Sequence, residues 1–264
     1  MNMFFYELKA YRKSTFIWIC SLCALTIFFL SMFPTFSKEA VEFQKLLQGF
    51  PEPVRKAFGF SGDISSFLNF YSYIFLYIVL CGAIQAMNLG TSILSKEMRE
   101  KTADFLLTKP VTRRQIVTSK LFAVVTSLVI TNIIYFITAS IMGAIVKENI
   151  YSIKIFSMIS ITLFFIQLIF MSLGILVAVV VPKIKSVISV SLSTVFGFFI
   201  IGMFQAVIES EAFRYITPFK YFDTAYIIKN GQYEVSFIIL AVVVVIVTIA
   251  ASYFIYCKRD IHTV

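Results

Sequence analysis

The stretch "SKEMREKTADFLLTKPVTRRQIVTSK", residues 95–120, carries ten charged residues between two long apolar runs. A turn joining two apolar helices needs only a few residues, and this segment is both longer and patterned. Residues 96–107 contain neither Gly nor Pro, and Met98, Thr102, Phe105 and Leu106 recur at i, i+4, i+7 and i+8, one face of a helix. Lys109-Pro110 ends that helix, because proline lacks an amide donor and disfavours helix in the residue before it. "TRRQ" at 112–115 then offers a capping box, with Thr112 as N-cap and Gln115 three residues on. The pattern predicts a long apolar helix, a short amphipathic helix over 96–108 across its end, a sharp corner and a second long apolar helix.

Working outward, the chain has 264 residues, of which 59% are hydrophobic and 14% charged, with 30 Phe. Its mean hydropathy is +0.89. Water-soluble domains run at about 45–50% apolar and about 25% charged, so a soluble fold would lack the polar surface to cover itself. Crossing a bilayer takes roughly 20 apolar helical residues. Six runs qualify, near 16–36, 70–94, 118–146, 154–181, 187–208 and 235–257. They are apolar on all sides rather than alternating, which excludes a membrane β-barrel. The expectation is an all-α polytopic membrane protein forming a single transmembrane domain over 1–264. Basic residues before the first run resemble the start of a signal peptide, but "SMFPTFSKEA" (31–40) offers no small-residue cleavage site, and the run reads as a retained span.

Lysine and arginine orient the spans. Six spans put both termini and the segments around 95–120 and 182–186 on one side. That side holds 14 of the 23 Lys and Arg and five of the 14 Asp and Glu, so the whole formal net charge of +9 falls there. The positive-inside rule makes that side cytoplasmic, at the plasma (inner) membrane. The charge is scattered over four short membrane-flanking segments, a pattern suited to anionic lipid headgroups and not to nucleic acid.

Several connecting segments carry helical signals. Phe4, Phe5, Leu8, and Tyr11 or Arg12 at helical spacing predict an interfacial helix over 1–15. Ala40, Phe43, Leu47 and Phe50 mark one face of an external helix, broken at Pro51 and Pro53. The aromatic-rich "ESEAFRYITPFKYFDTAYIIKNGQY" (209–233) predicts two short helices dipping back toward the bilayer, with the Asn230-Gly231 pair as the turn before the last span.

No charged residue lies in the middle of a span, which disfavours a proton-driven secondary transporter. The polar residues there, Gln85, Asn88, Asn132, Gln167 and Gln205, either line a path or hydrogen-bond between helices. Gly174, Gly197 and Gly202 are expected at close helix contacts. Cys20 and Cys23 form a lone CxxC on a membrane helix and read as small apolar residues. With one His, no HExxH and no GxSxG, no membrane-enzyme signature is present.

The segment between the second and third spans resembles the signature of ABC type-2 permeases, the membrane subunits of ATP-driven exporters. The matching residues are Glu97, Thr102, Leu106, Leu107, Pro110, Arg113 and Lys120. "AFGF" at 57–60, "TPFKYFD" at 217–223 and "YFIYCKRDI" at 253–261 resemble further segments of that family in the same order, so the likeness covers nearly the whole chain.

The resemblance implies a permease subunit whose 96–108 helix is a coupling helix docked into a separate cytoplasmic ABC ATPase. It also implies pairing with a second copy or a sister permease. ATP and Mg would be held by the partner, consistent with the lack of a GxxxxGK[ST] loop, so no cofactor or metal is expected in this chain. On that helix Phe105, Leu106 and Leu107 would be anchors. Glu97, Lys101 and Asp104 would set register by rim charge pairs, and Arg113 and Arg114 would meet partner acids or lipid phosphates. A non-transporting sensor or immunity subunit with the same fold is the alternative.

Overall fold

The computed structural model describes residues 3–51, 54–55, 66–99, 112–146, 151–181, 183–208 and 211–258. These residues form ten α-helices and one 3-10 turn, with no strand among them. In chain order the helices are α1 (Met3–Ser31), α2 (Phe33–Lys38), α3 (Ala40–Gln48), α4 (Phe67–Arg99), α5 (Arg113–Val146), α6 (Ile153–Val180), α7 (Val187–Ile208), α8 (Glu211–Ile216), α9 (Thr224–Asn230) and α10 (Val235–Lys258). The 3-10 turn, Pro218–Lys220, lies between α8 and α9.

Six helices are long and apolar enough to cross a membrane, and they match the six expected runs: α1, α4, α5, α6, α7 and α10. The chain is an all-α polytopic membrane protein. At 1.5 Å per residue α4 and α5 are each roughly 50 Å long, well beyond a hydrocarbon core of about 30 Å. They must tilt or project past the bilayer surface. The amino-terminal segment is helical as its spacing predicts, but it is no separate element: α1 runs unbroken from Met3 into the first span.

Burial sorts the spans. The most apolar windows of α4 and α6 are 61% buried, against 22% in α1, α7 and α10. The pair α4–α6 is therefore the spine, and the others flank it with outward apolar faces such as Phe16, Ile200 and Ile246. Lipid is as apolar as these side chains, so their exposure carries no penalty, and helix contact rests on close packing. At the spine that packing is backbone against backbone. A Cβ on Gly90 would sit 2.3 Å from the Met171 carbonyl oxygen, and one on Gly174 would sit 2.7 Å from the Met87 carbonyl oxygen. Gly174 thus holds its expected place, whereas Gly197 has nothing within 4 Å.

Outside the spans, Ala40 is buried and Leu47 packs on the core as expected of the α3 face, but Phe50 is exposed beyond the helix end. The segment before the last span folds into two short helices, as its pattern predicts. Asp223 caps α9 by accepting from the Ala225 and Tyr226 amides at 2.8 and 3.3 Å. Gly231 ends it at φ 62°, a left-handed conformation that glycine adopts without Cβ strain.

Candidate functional site

Residues 100–111 lie outside the described residues, and with them Lys101, Thr102, Asp104, Phe105, Leu106, Leu107, Pro110 and most of the expected 96–108 helix. Glu97 falls in the last turns of α4. What the structure describes is the frame on either side of that segment. On the far side, the capping box forms as read: the Thr112 amide donates to Gln115 Oε1 at 2.9 Å, and the Gln115 amide to Thr112 Oγ1 at 3.2 Å. α5 therefore starts at a defined point, and the corner before it is fixed by two reciprocal hydrogen bonds.

Two turns farther along α5 sits Lys120. Its Nζ donates to Glu7 Oε1 at 2.9 Å and to the Ile93 carbonyl at 2.6 Å. Both side chains are almost wholly buried, 1% exposed for Lys120 and 3% for Glu7. One ammonium thus joins α1, α5 and the carboxyl-terminal turns of α4, the two spans bracketing 95–120 and the helix beside them. Glu7 Oε2 has no hydrogen-bond partner among the described residues. Nearby, Tyr11 Oη and Ser92 Oγ are 3.0 Å apart, and the Lys96 ammonium lies 5.7 Å from the Tyr11 ring centre. On the other flank Arg113 donates to the Cys257 carbonyl at 3.4 Å, and Thr118 and Tyr253 hydroxyls are 2.9 Å apart, which brings in α10. The sequence singled out Arg113 and Lys120; it did not mark Glu7 as a partner, because a carboxylate 113 positions away leaves no periodic signal.

Deeper in the spans, three of the five polar residues converge. Gln167 donates to Gln85 Oε1 at 3.2 Å and to the Gly82 carbonyl at 3.4 Å, and Asn132 donates to Gln167 Oε1 at 2.5 Å. Gln85 in turn donates to Thr131 Oγ1 at 3.0 Å. The result is an interhelical network across α4, α5 and α6, with Gln85 and Gln167 fully buried. Asn88 takes no part in it, and Gln205 lies elsewhere, in a cleft at the opposite end. Tyr71, Tyr135 and Ser160 make a second tie between the same three helices, with Tyr71 Oη 2.6 Å from Tyr135 Oη and 2.8 Å from Ser160 Oγ.

The cleft at the opposite end is about 520 Å³ and lies under α8, the 3-10 turn and α9. Its charged residues are Glu211, Arg214, Lys220 and Asp223. Burial lowers the Lys220 amine from its ordinary value; Asp223 pulls it part of the way back up, and Arg214 pushes it further down. The phenols of Tyr221 and Tyr233, which do not line the cleft, are pushed up by burial.

Nothing in these three places is arranged for covalent chemistry, and among the described residues no group of three His, Cys, Asp or Glu is placed to hold a metal. The features present are helix ties and a cleft. A family model described as ABC-2 family transporter protein matches residues 1–261. The chain belongs to that family. Comparison with curated proteins returns no match. As an ABC-2 family member the chain is a membrane component of a transport system and not itself a catalyst. The tie through Lys120 joins α1 to the two spans flanking 95–120, near the ends from which that segment leaves them.

Proposed function

We propose that this chain is the permease subunit of an ABC exporter, forming the pathway and coupling to a separate cytoplasmic ATPase through the 96–108 helix. The family match over residues 1–261 carries the reading. The frame around 95–120 supports it mechanically. A segment that receives force needs both its ends fixed to the spans it is to move. Lys120 joins α5 to α4 and α1, and the Thr112–Gln115 box fixes the start of α5. Motion at 96–108 would reach three helices together.

In this scheme Glu97, Lys101, Thr102, Asp104, Phe105, Leu106, Leu107, Pro110 and Arg113 form the docking surface, with Phe105, Leu106 and Leu107 as anchors. Both termini are cytoplasmic, at the plasma (inner) membrane, a reading supported by the lysine and arginine bias. ATP and Mg belong to the ATPase. Six spans leave one chain short of a full pathway, so it pairs with a second copy or a sister permease. The cargo is amphipathic.

Co-purification tests this. The intact chain is expected to bring down a P-loop ATPase, and replacing both Leu106 and Leu107 by Asp is expected to abolish that association while the chain still inserts and folds. Association that survives the double substitution overturns the coupling role. Reconstituting the complex and finding ATP hydrolysis without cargo movement would favour a sensor or immunity subunit.

A further inference from the structure

The cleft at the end opposite Lys120 has the makings of a binding site. Its floor is rigid: Phe219 packs with ring centres 5.1 Å from Phe170 and 5.6 Å from Phe199. Thr217 donates to the Phe198 carbonyl at 2.8 Å, and Tyr221 to the Tyr215 carbonyl at 2.7 Å, which holds the 3-10 turn against α7 and α8. Volumes of about 300–1,000 Å³ in a preformed cleft are typical of small-ligand sites, and this one is about 520 Å³.

Two of its four charges are already used. Arg214 pairs with Glu234, donates to the Lys220 carbonyl at 3.2 Å and stacks 4.0 Å over the Phe237 ring. Asp223 caps α9. Lys220 and Glu211 remain. Among the described residues neither side chain has a hydrogen bond or ion pair, yet both line the cleft. The Lys220 side chain is half-buried, its stem 3.9 Å from where a Cβ on Gly202 would stand. A half-buried ammonium that Asp223 steadies only through space, without a hydrogen bond, gains from an anionic group placed directly on it. Beside these opposite charges runs an apolar wall from Phe75 and Val79 of α4 to Ile166 of α6.

We propose that this cleft binds the zwitterionic headgroup of an outer-leaflet phospholipid, its phosphate on Lys220, its amine toward Glu211 and its acyl chain along the Phe75–Val79–Ile166 wall. A purely anionic lipid leaves Glu211 facing a negative ligand, whereas the two remaining charges, Lys220 and Glu211, offer one of each sign, which matches a neutral zwitterion. The leaflet, though not the headgroup chemistry, rests on the orientation proposed above.

The full chain in phosphatidylglycerol nanodiscs, given a trace of photo-crosslinkable phosphatidylethanolamine, should be labelled within 205–225. Lys220→Gln should lower that labelling about ten-fold, the loss of one charge-assisted hydrogen bond, and Lys220→Arg should retain it. Glu211→Gln should erase the preference for phosphatidylethanolamine over a phosphatidylglycerol probe. Equal labelling by both probes in the unsubstituted chain, or no effect of Lys220→Gln, overturns the site. An amphipathic peptide that displaces the lipid probe at lower concentration than unlabelled phosphatidylethanolamine overturns it in favour of a peptide site. In sealed membranes, labelling only from the inner leaflet overturns the orientation and leaves the headgroup chemistry standing.

Discussion

Lys120 Nζ and Glu7 Oε1 are 2.9 Å apart, and the pair is buried between α1 and α5 with the Ile93 carbonyl of α4 as the ammonium's second acceptor. A buried ion pair is weak grounds for stability in itself, because taking both charges out of water offsets much of their attraction. Its effect is to fix geometry: three helices share one charged group, so none can rotate without breaking a bond to it.

Breaking one side is expected to be far worse than removing both. Lys120→Met leaves a buried carboxylate without a cation, at a cost of about 3–5 kcal/mol. Glu7→Gln is milder, since the ammonium keeps the Ile93 carbonyl and gains an amide oxygen. The double variant should recover most of the loss. Thermal unfolding of the purified chain checks the order, and a double variant whose loss is the sum of the two single losses would show that the charges do not act as a pair.

Most of the architecture was legible because span length and apolarity are local properties, and so are caps. Thr112–Gln115 and Asn230-Gly231 could be read directly, each being a short-range bond whose residues lie within a few positions. Side-chain meetings between helices were not. Which of Gln85, Asn88, Asn132, Gln167 and Gln205 converge depends on the rotation of α4, α5, α6 and α7 about their axes, and helices apolar on all sides give no preferred face from which to infer it. The same ambiguity hid Gly90 and Glu7 and put Gly197 at a contact it does not make. Residues 100–108 of the expected 96–108 helix lie outside the described residues, so the reading of its role rests on pattern and resemblance.

The spine predicts a contrast between glycines. Gly90→Val places a Cβ where the Met171 carbonyl already stands, at 2.3 Å, and backbone cannot swing aside as a side chain can. α4 and α6 must separate, with a loss at the upper end of the overpacking range, about 3 kcal/mol. Gly197→Ala meets nothing within 4 Å and should stabilise by about 0.5–1 kcal/mol through helix propensity. Melting temperatures of the two variants should move in opposite directions; a neutral Gly90→Val would mean the spine is not tightly packed.

The amide network separates packing from pathway. Gln167→Leu removes the acceptor for Asn132 and the donor to Gln85 and Gly82, and membrane interhelical hydrogen bonds of this kind are worth about 0.6–2 kcal/mol. Three such bonds go, and because Asn132 keeps its bond to the Leu128 carbonyl the loss should stay below their sum of about 2–6 kcal/mol. Thermal stability is expected to fall while cargo movement per folded complex holds. Unchanged stability with lost transport would place Gln167 on the path instead.

Lys220 carries the pH prediction. Burial lowers its amine below 10.5, so the neutral, nucleophilic form appears at lower pH than in an ordinary lysine. The charged groups around it are Asp223, Arg214 with its partner Glu234, and Glu211. The stability sign follows from the lowered value. The cost of burying the ammonium is fully present below the folded-state pKa, and it is relieved as pH rises through that value toward the unfolded one. A membrane-impermeant acylating reagent applied to intact cells should therefore modify Lys220, with half-maximal labelling below pH 10.5, and labelling should vanish in Lys220→Arg. Asp223→Asn keeps the α9 cap but removes the charge that holds the value up, so its labelling curve should shift to still lower pH. A curve matching that of free lysine would refute the burial. Labelling only after permeabilisation would place this end of the molecule in the cytoplasm and reverse the proposed orientation.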